Sequence, residues 1–311
     1  MNNIKLDGIP NLENTIEKHG LISTTITHNG IPTDKQAITY KGSFIQVFSK
    51  GYKPVAHEDI YAAAKEVGEK LGITPQLTKV NHGRLERQRW YKTADFGEAE
   101  LSTPNGGQMI ATFLDNNKGV DVTGEGDFVR AGVTIIGSID GSKATKIIPS
   151  TDRGFCFNRM YHLKNVGEIS NESLVDLDKN IQQGEAQLQK MKVRWNHSKN
   201  FQIADFKTAL EECLNFSKNL ITQYQDFKNE KVTQAMALEL NEALGKRFME
   251  EISWVESKKD EVKLVESVDK WQAFNDITRR LTHDDISKSM DSILQRYKKV
   301  DNIFLEKMVI A

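Results

Sequence analysis

The chain has 311 residues, 42 Lys+Arg against 43 Asp+Glu, a formal net charge of -1 and 38% apolar residues. This length holds about two domains, and the near-neutral balance excludes a uniformly basic mass binder of nucleic acid. No run of about eighteen apolar residues occurs, the first residues hold no secretory apolar region, and Cys156 and Cys213 are too few for a disulfide framework. The expected setting is the reducing cytoplasm, with no membrane partner.

The composition changes near residue 167. All 6 prolines lie before it, with period-two apolar segments, while the residues after it are proline-free and carry apolar residues every three or four positions. Residues 1–40 are expected to be a partly ordered N-terminal arm, with Gly30-Ile31-Pro32 as a turn. Residues 41–167 are expected to be an α+β sheet domain. Its strands are read at Ser43–Phe48, Gln76–Asn81, Leu85–Thr93, Gly107–Leu114, Phe128–Ile139 and Lys143–Pro149. A helix from about His57 shows the stripe Ile60, Ala63, Ala64, Val67, Leu71 and stops at Gly72. Asp140-Gly141 has the signature of a tight antiparallel turn.

From about Ser170 the pattern predicts helix after helix, a helical domain over 168–311. The stripes run Leu174, Leu177, Ile181, Leu188, Met191; then Phe206, Leu210, Cys213, Phe216, Leu220, Tyr224, Phe227; then Met236, Leu240, Leu244; then Phe248, Ile252, Val255; then Trp271, Phe274, Ile277, Leu281; then Ile286, Met290, Ile293, Tyr297. The expected fold class is α+β: an antiparallel sheet with a packed helix, followed by an all-helical C-terminal half whose spare stripes suggest a homo-oligomer, a ring or a filament.

Motifs for catalysis are sparse. There is no phosphate-cradling Gly-x-x-x-x-Gly-Lys-Ser/Thr loop, Gly124-Glu125-Gly126 reads as a turn, and Asp115–Asp121 reads as a polar loop rather than a calcium loop. His82, His162, His197 and His283 are scattered without metal-ligand spacing, so neither a metal nor another cofactor is expected. A Cys156–His162 nucleophilic pair would need an orienting carboxylate.

Two cation-rich, aromatic-bearing segments point instead to nucleic acid. In the first, Lys79, Arg84, Arg87, Arg89, Tyr91 and Lys92 are the candidate contacts, and Arg87, Arg89 and Tyr91 share one face of an extended strand. Guanidinium forks bind phosphate bidentately, and an aromatic ring stacks on a base of any identity. In the second, the candidates are Lys143, Lys146, Arg153 and Arg159; Arg153, Phe155, Phe157 and Arg159 align if that piece is extended.

Three segments resemble the phage- and plasmid-borne proteins catalogued as domain of unknown function nine hundred thirty-two. They are Lys50-Gly51-Tyr52-Lys53-Pro54-Val55; Asp140-Gly141-Ser142 with Pro149, Arg153, Cys156 and Asn158; and Trp271-Gln272-Ala273-Phe274-Asn275-Asp276-Ile277-Thr278 with His283. The family's early Gly-Trp-His-x-Leu-Gly is missing, and Ile139 stands where a histidine is usual. The resemblance implies a mobile-element gene acting in the host cytoplasm. The order of elements over about residues 40–165 is also similar to the core of single-strand annealing proteins of the Rad-fifty-two type. That likeness implies rings that hold single-stranded DNA in a basic groove and need no nucleotide. The sequence thus leads to a non-catalytic, ATP-independent protein that binds and anneals single-stranded DNA in recombination. An assembly or host-interaction protein and a Cys-dependent hydrolase are the alternatives.

Overall fold

The structure is a computed structural model that describes residues 16–18, 20–52, 54–76, 90–92, 100–102, 107–117, 119–141, 145–153, 158–162, 168–169, 192–195, 203–258, 261–283 and 290–305. It opens with four strands, β1 (Ile16–Lys18), β2 (Leu21–His28), β3 (Ile31–Tyr40) and β4 (Ser43–Ser49), and then helix α1 (His57–Leu71). Next come β5 (Ile73–Gln76), β6 (Trp90–Lys92), β7 (Glu100–Ser102), β8 (Gln108–Asp115), β9 (Val120–Asp121) and β10 (Phe128–Ser138). The strands β11 (Thr145–Arg153), β12 (Asn158–Tyr161), β13 (Glu168–Ile169) and β14 (Lys192–Trp195) follow. The C-terminal part holds α2 (Ile203–Phe227), α3 (Gln234–Leu244), α4 (Lys246–Met249), β15 (Val255–Lys258), β16 (Glu261–Leu264), α5 (Lys270–His283) and α6 (Met290–Phe304). The fold is α+β, with antiparallel sheets and a helical C-terminal part.

The segment expected to be an arm carries three of these strands. β1 to β4 form a sheet in sequential order. Its two tight turns explain the pairing: Asn29 and Gly30 have φ 52 and 76, and Lys41 and Gly42 have φ 47 and 80. Positive φ at both central residues is what a type I′ hairpin turn requires, and it matches the twist of the strands it joins. The turn therefore lies at Asn29-Gly30, and Ile31-Pro32 already belongs to β3.

The larger sheet runs β13-β14-β11-β10-β8-β7-β6, with β12 beside β11, β5 beside β8 and β9 beside β10. Its pairs are antiparallel except β13–β14. Pro149 is tolerated inside β11 because it falls between the residues paired to β14, at 145–146, and those paired to β12, at 150–153. Of the strands expected at Gln76–Asn81 and Leu85–Thr93, β5 and β6 cover only residues 73–76 and 90–92; residues 77–89 lie outside the described residues.

α1 and α2 pack on this sheet and against each other. The stripe Ile60, Ala63, Ala64 and Val67 is buried, and Gly72 ends α1 in the left-handed conformation with φ 71. In α2, Leu210, Cys213, Leu214, Ser217, Leu220, Ile221 and Tyr224 are buried at helical spacing, and the Ser217 hydroxyl donates to the Gly132 carbonyl at 2.7 Å. Tyr224, Phe227, Trp271, Phe274 and Phe304 form an aromatic cluster joining α2, α5 and α6. One hydrophobic core runs from Leu21 to Leu305, so sheet and helices share it.

The C-terminal part is not all-helical. The stripe Phe248, Ile252, Val255 does not continue one helix: α4 ends at Met249, and β15 and β16 pair as a hairpin. Val255 and Val262 are buried while Glu256 and Lys263 are exposed, the period-two alternation of a half-buried strand. The helix expected over Leu174–Met191 lies outside the described residues, and the described piece after it, Lys192–Trp195, is a strand.

Candidate functional site

Of the ten candidate nucleic-acid contacts, Lys79, Arg84, Arg87, Arg89 and Lys143 lie outside the described residues. Tyr91 and Lys92 belong to β6, the outer strand at one end of the large sheet. Strand pairing carries a single row across that sheet: Lys92 opposite Glu100, Glu100 opposite Ile110, Ile110 opposite Ile136, Ile136 opposite Lys146, and Lys146 opposite Arg194. Tyr91 pairs with Leu101 in the neighbouring row. Arg194 was not singled out from the sequence, where Lys192-Val193-Arg194-Trp195 passes for the end of a helix.

Arg153 and Arg159 do not extend one face. The chain reverses between them, so Arg153 pairs with Asn158 and Arg159 with Asp152. The reversal sets the two arginines one register position apart. Phe155 and Phe157 lie outside the described residues.

Arg153 instead enters a polar cleft of about 410 Å³ built from the 123–127 loop, β11, the end of α2 and the first turns of α5. The loop is shaped by Asp121, whose carboxylate accepts backbone N–H bonds from Thr123, Gly124, Gly126 and Asp127 at 2.8–3.2 Å. Desolvation pushes this carboxyl up, but the four N–H dipoles together outweigh it and hold the group below its ordinary value. At the loop's end Asp127 accepts from Arg153 Nε at 2.6 Å and from the indole Nε1 of Trp271 at 2.8 Å. The Arg153 guanidinium also lies 6.0 Å from the centre of the Trp271 ring. Asp127 thus joins the second of the family-like segments to the third.

The rest of the cleft is similarly paired. Lys228 bonds the Thr123 carbonyl and lies 3.5 Å from Glu125. Asp269 accepts from the backbone N–H of Gln272 at 2.7 Å. Asp276 accepts from the indole of Trp254 at 3.2 Å, and burial raises its carboxyl above the usual range despite that bond and the nearby Arg279 and Arg153. Glu125, Asp127, Asp269 and Asp276 outnumber Arg153 and Lys228 here, so the cleft is a poor host for phosphate. Asp127 was not singled out in the sequence, where the hint was an aspartate at each end of the glycine-bearing Asp121–Asp127 run, and Asp276 appeared there only as part of the third family-like segment.

The first family-like segment meets the start of the second elsewhere. Tyr52 donates to the Ile139 carbonyl at 2.8 Å and stacks on Phe48, with ring centres 3.9 Å apart. Burial pushes the Tyr52 phenol well above its ordinary range, and Asp140 adds to the shift.

His162, the histidine considered beside Cys156, is buried. Its Nδ1 faces Asp301 at 3.3 Å, and its Nε2 faces Thr151 at 3.0 Å and the Tyr224 hydroxyl at 2.9 Å. Both ring nitrogens therefore serve the seam between sheet and helices, while Cys156 lies outside the described residues. Among the described residues no cluster of three His, Cys, Asp or Glu side chains could hold a metal, and no helix is long and apolar enough to cross a membrane. No protein-family model, curated protein or solved structure matches the chain.

Proposed function

We propose that the protein binds single-stranded DNA through the cation-bearing end of its large sheet, and protects or anneals strands without catalysis. The observation that carries this reading is the register row, in which Lys92, Lys146 and Arg194 fall at aligned positions. The row spans five strand spacings, roughly 24 Å, with Lys92 at one side and Lys146 and Arg194 at the other, separated by Glu100 and the buried Ile110 and Ile136. Arg89 immediately precedes β6 in the sequence. Cations at such spacing neutralise phosphates while leaving base edges available for pairing.

The test is anisotropy of a labelled oligothymidine without magnesium or nucleotide, titrated with salt. Binding is expected to weaken with a log–log slope of about -0.7 per phosphate contact. The double change Lys92→Ala, Lys146→Ala should flatten the slope by about 1.4, and Arg87→Ala, Arg89→Ala by a similar amount. No binding at about 50 mM salt, or a slope untouched by both double changes, would refute the proposal.

A further inference from the structure

The outer edge of the β15–β16 hairpin is closed by a side chain rather than by a strand. Lys258 lies opposite Glu261, Ser257 opposite Val262, Glu256 opposite Lys263 and Val255 opposite Leu264. A hairpin with a two-residue connection closes on a hydrogen-bonded pair, so the backbone groups of Val262 and Leu264 point away from β15. Gln234, the first residue of α3, meets them. Its Nε2 donates to the Val262 carbonyl at 2.5 Å, and its Oε1 accepts from the Leu264 N–H at 3.0 Å. These are a donor and an acceptor of the kind a neighbouring strand supplies on either side of Lys263. The amide is anchored from behind: the Val232 N–H donates to the Val268 carbonyl at 3.0 Å, and the Lys270 N–H to the Glu230 carbonyl at 2.8 Å. Gln234 and Lys263 are exposed, and Val265, next along the chain from β16, is 58% exposed, so this edge lies at the surface. A strand edge with open donors and acceptors is a template for another chain, and edge lysines and covering groups are the usual protections. The helical stripes expected to drive self-association are consumed in the chain's own core, where Trp271, Phe274, Ile277 and Leu281 are all buried.

We propose that Gln234 is an edge guard that keeps β16 from pairing with β16 of a second copy. The partner is a copy because the edge is complementary to itself. Across a two-fold axis at Lys263, Val262 of one chain exchanges both backbone bonds with Leu264 of the other, and the reverse pair does the same. The two hairpins then join into one antiparallel sheet, and both Gln234 amides must leave their places. Lys263 faces its own counterpart in that arrangement, and like charges directly opposite each other disfavour it. The edge therefore carries two protections: the amide fills its hydrogen bonds, and the lysine repels an incoming copy.

Hydrogen exchange read by mass spectrometry, together with sedimentation velocity of the DNA-free protein, tests this. Gln234→Ala keeps the Thr233 cap of α3 and a good helix former. It frees the Leu264 N–H, whose exchange should rise roughly tenfold, the equivalent of about one net hydrogen bond. Lys263→Thr alone should sediment as the wild type does, because the amide still fills the edge. Lys263→Thr with Gln234→Ala should associate beyond the wild type between about 1 and 100 µM, and the Leu264 N–H should regain protection in the associated form. That recovery separates strand pairing from association through another surface. Unchanged Leu264 exchange in Gln234→Ala overturns the proposal, as does a double variant that associates no more than the wild type or associates with Leu264 unprotected. Association of Lys263→Thr alone as strong as that of the double variant also counts against the amide. Should Gln234→Ala lose its native circular dichroism, Gln234→Ser, too short to reach β16, takes its place in both assays with the same criteria.

Discussion

Replacing Trp271 with phenylalanine isolates one hydrogen bond between loop and helix. The indole is 3% exposed, its ring centre lies 5.1 Å from that of Tyr224, and its Nε1 donates to Asp127 at 2.8 Å. Phenylalanine keeps an aromatic ring in the cluster but removes the donor. Asp127 retains Arg153, so no carboxylate is left wholly unpaired. A hydrogen bond to a charged acceptor contributes about 1.5–3 kcal/mol. The smaller ring forfeits of order 1 kcal/mol of packing. The expected loss is about 2.5–4 kcal/mol, approaching the roughly 3–5 kcal/mol of Trp271→Ala. Urea unfolding followed by circular dichroism measures it, with an unchanged denaturant slope as the sign that only stability has altered. A cycle with Asp127→Ala supplies the decisive number, because groups in direct contact couple. A coupling below about 0.5 kcal/mol would refute the assignment of this bond as the tie between the 123–127 loop and α5.

Three further outcomes are expected. Asp276 has a raised carboxyl, so the folded state holds its proton longer than the unfolded chain, and ionisation costs stability as pH rises above the ordinary carboxylate range. Asp276→Asn, which can still accept from Trp254, should therefore gain stability relative to wild type as pH is raised from about 4 to 7; a gain that shrinks over that interval would contradict this. Cys213 is fully buried, and desolvation, with Glu212 adding to it, holds its thiol well above the usual range. It should resist iodoacetamide at neutral pH until the chain is unfolded in urea, and rapid native labelling would show that α2 opens locally. Gly141→Ala should destabilise by about 1–3 kcal/mol in the same urea assay, since the residue has φ 66 and an added Cβ would lie 2.6 Å from the Phe48 ring. A neutral result would mean that the Phe48–Tyr52 stack is free to move.

The sequence by itself determined the elements whose signals are local. The α1 stripe and its Gly72 stop, the α2 and α5 stripes, and β4, β8, β10 and β11 follow from side-chain period and from residues that tolerate only certain backbone angles. The α+β class follows from the same periods. Tertiary structure decided what depends on distant partners. Residues 16–40 look like a polar arm because their strands are rich in threonine, and become a sheet only when β3 finds β4. Val255–Leu264 can be read at either period, and strand pairing is what buries Val255 and Val262. The cleft was the least legible, because Asp127 lies 26 residues from Arg153 and 144 from Trp271. A carboxylate's partner is fixed by where the chain returns, and sequence spacing carries no record of that return.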